Sequence, residues 1–69
     1  MANMKTYEVY RPGGTDIVHV TATCITKAAK LFIATLDKPA EYMLDSAHKA
    51  TIRYTDNHSI MSDFVMYQA

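Results

Sequence analysis

Asp16-Ile-Val-His-Val-Thr-Ala-Thr-Cys-Ile-Thr-Lys-Ala-Ala-Lys-Leu-Phe-Ile-Ala-Thr-Leu36 changes its apolar period halfway along. Up to Ala22 the period is two, with Val18, Val20 and Ala22 on one side of an extended chain and Ile17, His19 and Thr21 on the other. From Ile25 the period becomes helical. Ile25, Ala28, Ala29, Phe32, Ile33 and Leu36 line one stripe, Lys27, Lys30, Ala34 and Lys38 lie opposite, and Leu31 sits on the shoulder. A strand therefore feeds an amphipathic helix expected over Ile25 to Leu36. Thr23 or Cys24 occupies the cap region, and threonine is the better capping side chain. Asp37-Lys38-Pro39 stops the helix, because the residue before a proline is pushed out of the α region.

Upstream, Lys5 to Arg11 alternates, with Tyr7 and Val9 on one face and Thr6, Glu8 and Tyr10 on the other. Pro12-Gly13-Gly14-Thr15 then turns the chain, so the first two strands make a hairpin. Downstream, Ala40 to Leu44 reads as either a helical turn or a short edge strand, and Asp45-Ser46 breaks the pattern. Alternation resumes at His48, placing His48, Ala50, Ile52 and Tyr54 opposite Lys49, Thr51, Arg53 and Thr55. Asp56-Asn57-His58-Ser59 is a turn by composition. Ile60 to Tyr67 reads as a last strand interrupted at Ser62-Asp63, with Phe64 and Met66 opposite Val65 and Tyr67. The expectation is one α+β domain over residues 1–69. It has ββαββ order, an antiparallel sheet of four or five strands, and one amphipathic helix packed on one face. The other face is left to solvent or a partner.

A chain of 69 residues buries only roughly 60% of the surface its unfolded form exposes and needs a well-packed core, a staple or a partner chain. One cysteine closes the disulfide route, which makes a second copy of the chain a candidate partner, and it fits a reducing compartment. Hydrophobic residues at 49% and charged residues at 20% argue against disorder. Seven basic and seven acidic residues cancel, which argues against nucleic acid as the natural partner. The halves differ mildly, with five basic and three acidic groups in residues 1–38 and two and four in residues 39–69. Met1 to Lys5 shows no leader pattern and no apolar run is long enough to span a bilayer, so the expected location is the cytoplasm with no membrane contact.

Reactive chemistry finds little support in the residues. The closest pair of metal-ligating side chains is His19 and Cys24, with no second pair beside it, so no metal is expected. Cys24 near a helix N-terminus has a lowered thiol pKa in prospect, but no histidine base is placed beside it by spacing. Gly13-Gly14 joins two strands and opens no helix, which excludes a phosphate loop. The expectation is a chain that is not an enzyme and takes no cofactor.

Five tyrosines, two phenylalanines and five methionines exceed what one helix and one sheet face need. Tyrosine supplies large apolar area with a polar tip, and both tyrosine and methionine are enriched in binding surfaces. Alternation sends Tyr10 and Tyr67 to the face away from the helix. With Lys49 and Arg53 they form the candidate partner-binding set. The alternative reading uses the strand face around Lys49 and Arg53 as a nucleic-acid platform.

Val18 to Phe32 resembles a pattern of small phage- or mobile-element-encoded inhibitors, including anti-CRISPR and host-transcription inhibitor proteins. In both, a strand ending in Val-x-Ala runs through a short polar link into an alanine-led helix. The resemblance covers residues 16–36 and carries over no functional residue. It implies a steric blocker of a bacterial host protein or complex, acting in the host cytoplasm. Many such inhibitors are acidic mimics of nucleic acid, whereas this chain is neutral with lysines on its helix.

Overall fold

A computed structural model describes residues 3–69. Met1 and Ala2, part of the stretch read for a leader, lie outside the described residues. Six elements follow in chain order: β1 (Lys5–Tyr10), β2 (Ile17–Ala22), α1 (Ile25–Ala34), β3 (Ala40–Leu44), β4 (Lys49–Tyr54) and β5 (Phe64–Gln68). The strands form one antiparallel sheet in the spatial order β2-β1-β5-β4-β3. The fold is α+β with five strands, and its order is ββαβββ, one strand more than ββαββ.

The added strand is the segment the sequence left open. Ala40–Leu44 pairs with β4 along its length, from Ala40 opposite Tyr54 to Leu44 opposite Ala50. Both ends are clamped, by Thr55 N–H donating to the Pro39 carbonyl at 3.1 Å and Asp45 N–H donating to the Lys49 carbonyl at 3.0 Å. Proline biases the chain towards extended backbone just before the strand, and the Asp45-Ser46 break becomes a hairpin turn.

The first hairpin turns at Arg11-Pro12-Gly13-Gly14. Gly14 N–H donates to the Arg11 carbonyl at 2.7 Å, and Gly13 has φ of 82°. Proline then positive-φ glycine is the arrangement of a type II turn, and only glycine takes that third position without strain.

Cys24, not Thr23, is the N-cap of α1, in extended conformation and with no side-chain cap bond. The helix ends at Ala34, short of Leu36. Thr35 explains this: its N–H and its hydroxyl both return to the Phe32 carbonyl, at 3.0 and 2.7 Å, and Leu36 N–H bonds Ile33 at 3.1 Å. Tight i→i−3 bonds finish the last turn before Pro39 is reached.

The last strand is also shorter than expected, beginning at Phe64. Residues 60–63 belong to a loop held by polar side chains. Asp63 Oδ2 accepts from Tyr54 N–H at 2.8 Å and from the Asn57 side-chain amide at 2.9 Å. Asn57 also donates to the Met61 carbonyl and accepts from Ser59 N–H. These side-chain bonds hold residues 60–62 outside the strand, while Asp63 N–H still donates to the Ile52 carbonyl of β4 at 3.0 Å.

Tyr7 and Val9 of β1, Ala50 and Ile52 of β4, and Phe64 and Met66 of β5 point to one side of the sheet and form a single buried cluster with Ile25, Ala28, Ala29 and Phe32 of α1. Ala28, Ala29 and Ala50 have no exposed surface, and their small side chains admit close approach of backbone to backbone. Phe32 meets Phe64 edge to face, 4.9 Å between ring centres. Among the described residues no polar or charged residue is buried. The helix lies against β2, β3 and β4, so the β2-α1-β3 connection carries the chain from one edge of the sheet to the other.

Candidate binding face

The alternate residues of the same strands populate the opposite side of the sheet. Register places them in rows that cross it. One row runs His19, Glu8, Tyr67, Lys49 from β2 to β4. The next runs Ile17, Tyr10, Val65, Thr51, Met43 from edge to edge. Arg53 and Glu41 are opposed beyond it. The centre of this open face is thus apolar and aromatic, with charges of both signs at its rim.

Three of the four residues singled out by sequence meet there. The Tyr10 and Tyr67 rings stack at 5.8 Å with 10° between planes, and the Lys49 ammonium lies over the Tyr67 ring at 5.4 Å. Arg53 shares the face but stands apart. Its guanidinium donates to the Ile60 carbonyl at 3.2 Å and ties β4 to the loop. Arg53 lies four positions along β4 from Lys49, about 13 Å in a strand. Asp63 is held away from this pair by Tyr54 and Asn57.

The two hydroxyls differ in acidity. Pairing with the Tyr67 hydroxyl raises the Tyr10 pKa, with burial adding to it. The Tyr67 pKa is lowered, by the Tyr10 hydroxyl and then by Lys49, which together favour its phenolate. The arrangement fixes both rings, so little side-chain freedom is left to lose on docking.

Beside the tyrosines lies a shallow depression of about 550 Å³, with Glu41, Met43, Thr51 and Arg53 on its sheet side and Asn57 and Ser62 on its loop side. Met43, Ile17 and Val65 complete the apolar row, and sequence reasoning did not assign them to the site. Ile17 and Val65 were placed on the correct face by alternation, whereas Met43 had no face until Ala40–Leu44 was known to be extended. Ile60 and Met61 project from the loop at 95% and 61% exposure. Reading them as strand had hidden this.

Cys24 is exposed, and its pKa is lowered chiefly by the Lys27 backbone N–H, which the ionised sulfur would face, against an opposing push from burial. Among the described residues no three His, Cys, Asp or Glu side chains cluster as metal ligands would. No helix among them is long and apolar enough to cross a membrane. No protein-family model, curated protein or solved structure matches the chain.

Proposed function

We propose that the chain is a non-enzymatic module that binds another folded protein through the open face, while α1 closes the opposite one. The observation that carries this reading is the Tyr10–Tyr67 stack under Lys49, which joins the mainly apolar row Ile17, Tyr10, Val65, Thr51, Met43 to the charged row beside it. Rigid aromatic side chains ringed by charges of both signs have the composition of an interface centre and rim. A nucleic-acid platform would present free ring faces and a positive field. Here the rings stack on each other, and Glu8 and Glu41 sit among the cations. A bacterial host complex, of the kind blocked by the inhibitors the sequence resembles, is the first partner to try.

Capture from bacterial lysate, read by mass spectrometry and repeated with Tyr67→Ala, Tyr10→Ala and a Lys49→Ala/Arg53→Ala double variant, tests the proposal. A protein partner should be retained by the wild type. At least one tyrosine change should weaken it by about 2 kcal/mol or more, and the double charge variant should mainly slow association. The opposite pattern refutes the reading: silent tyrosines, binding abolished by the charge pair, and competition by short single-stranded DNA or RNA that fades steeply with salt.

A further inference from the structure

The two edges of the sheet differ. β3 follows Pro39 and carries Glu41 near its middle, opposed by Arg53. Prolines and charges are the usual guards of an exposed edge. β2, Ile17-Val-His-Val-Thr-Ala22, has neither Pro nor Lys, Arg, Asp or Glu, and it pairs with β1 over its full length without a bulge. Ile17 and Val18 are about half exposed on its two faces.

The hydrogen-bond phase of that edge follows from the ladder. Ala69 N–H donates to the Thr6 carbonyl at 2.9 Å, so Thr6, Glu8 and Tyr10 turn their backbone groups towards β5. By alternation Lys5, Tyr7 and Val9 turn theirs towards β2. Their partners Ala22, Val20 and Val18 answer them, which leaves Ile17, His19 and Thr21 with N–H and C=O directed outwards, unpaired along an unguarded edge.

We infer that β2 pairs antiparallel with β2 of a second copy of this chain, about a two-fold axis at His19, joining two sheets into one of ten strands. The strand is complementary to itself in this register. The outward-directed residues meet each other, Ile17 opposite Thr21 of the second copy and His19 opposite His19, and each such pair exchanges two backbone bonds. On the helix side Val18 falls opposite Val20 of the second copy, covering the valine left exposed. Shifting the register by two residues either way loses one of the three pairs. The same register sets Asp16 opposite Ala22 of the second copy, two residues before Cys24. The first turn of α1 holds no acidic side chain, and a negative charge is favoured at a helix start. The axis is perpendicular to the sheet, so both open faces lie on the same side and the row Lys49, Tyr67, Glu8, His19 continues across it. Association of this kind also supplies the partner subunit that a domain of this size often needs.

Sedimentation equilibrium of the full chain over a wide concentration range tests the inference. Wild type should rise towards twice its 7.8 kDa mass. His19→Pro removes an outward N–H that β1 does not use, and Ile17→Lys places a guard charge on the edge; both should stay monomeric with an unchanged circular dichroism spectrum. Leu44→Lys on β3 should dimerise like wild type. If His19→Pro fails to fold, Ile17→Lys decides. Register has its own readout. In a Cys24→Ser background His19→Cys meets itself across the axis at about 5.5 Å between Cα atoms, within disulfide reach, and should cross-link under mild oxidation far faster than Thr21→Cys. A monomer at every concentration, a dimer dissolved by Leu44→Lys and untouched by Ile17→Lys, or equal cross-linking at the two positions overturns it. None of these outcomes depends on the partner protein, so the inference fails or stands separately from the binding role.

Discussion

The same three central strands present two faces that use the same kinds of side chain differently. On the core face Phe64 is enclosed, with Phe32 at 4.9 Å and Tyr54 at 5.8 Å, both edge to face. On the open face Tyr10 and Tyr67 lie nearly parallel with a lysine over one ring. Tyr7 is 1% exposed and Tyr67 37%. A tyrosine's residue type does not decide whether it holds the fold or faces a partner. The parity of its position in the strand does, and truncations on the two faces should separate stability from binding.

The largest effect is expected on the core face. Phe32→Ala should cost about 3–5 kcal/mol, the range for truncating a buried aromatic. That is comparable with the roughly 3–5 kcal/mol a single core of this size supplies, so the variant should be largely unfolded by circular dichroism at room temperature. Tyr10→Ala on the open face loses a stacking contact of about 0.5–1.5 kcal/mol and should remain folded. Equal losses for the two would erase the distinction between the faces.

A smaller effect is expected where the open face meets the loop. Asp63→Ala leaves the Tyr54 N–H without its acceptor, at about 1–3 kcal/mol, and frees Asn57. Burial pushes the Asp63 pKa up, but the Tyr54 N–H, the Asn57 amide and the nearby Arg11 and Arg53 charges outweigh it and hold the carboxyl below its ordinary value. A depressed folded pKa means stability that is present above the unfolded carboxylate range, near about pH 4, and lost as pH falls through the folded value. Urea midpoints should therefore drop on acidification in the wild type and drop less in the variant. Parallel pH curves would show that Asp63 contributes nothing through its charge.

Periodicity made much of this legible. Tyr7 and Val9, Ala50 and Ile52, and Phe64 and Met66 were paired by alternation alone, and the helix stripe named its four buried residues. Tyr10 and Tyr67 were assigned to one face, but their stacking depends on Glu8 standing opposite Tyr67, a register set by pairing between the first and last strands. Sequence cannot supply such a long-range pairing. Ala40–Leu44 was ambiguous because five residues hold too few periods to tell a strand from a turn. Ile60 and Met61 were misread as strand because two apolar residues shortly before Phe64 imitate the start of one, while Asn57 and Asp63 settle the backbone through side-chain bonds that leave no periodic trace.

The smallest effect is a matter of acidity, and it compares the faces most directly. Burial, and then Cys24, raises the Tyr7 pKa, while Tyr10 and Lys49 lower that of Tyr67. In an alkaline titration followed by phenolate absorbance, Tyr67 should ionise first and Tyr7 among the last. Tyr67→Phe should delete the earliest step. Lys49→Ala should move that step to higher pH, because the ammonium no longer favours the phenolate. For stability the signs are opposed. The raised pKa of Tyr7 gives stability that is present below the unfolded value and lost as pH rises through the folded one, whereas the lowered pKa of Tyr67 gives stability that appears as pH rises through its own range. If Lys49→Ala leaves the first step where it was, the lysine does not sit on the tyrosine pair in solution, and the open face loses the charged contact that distinguishes its aromatic pair from the enclosed rings of the core.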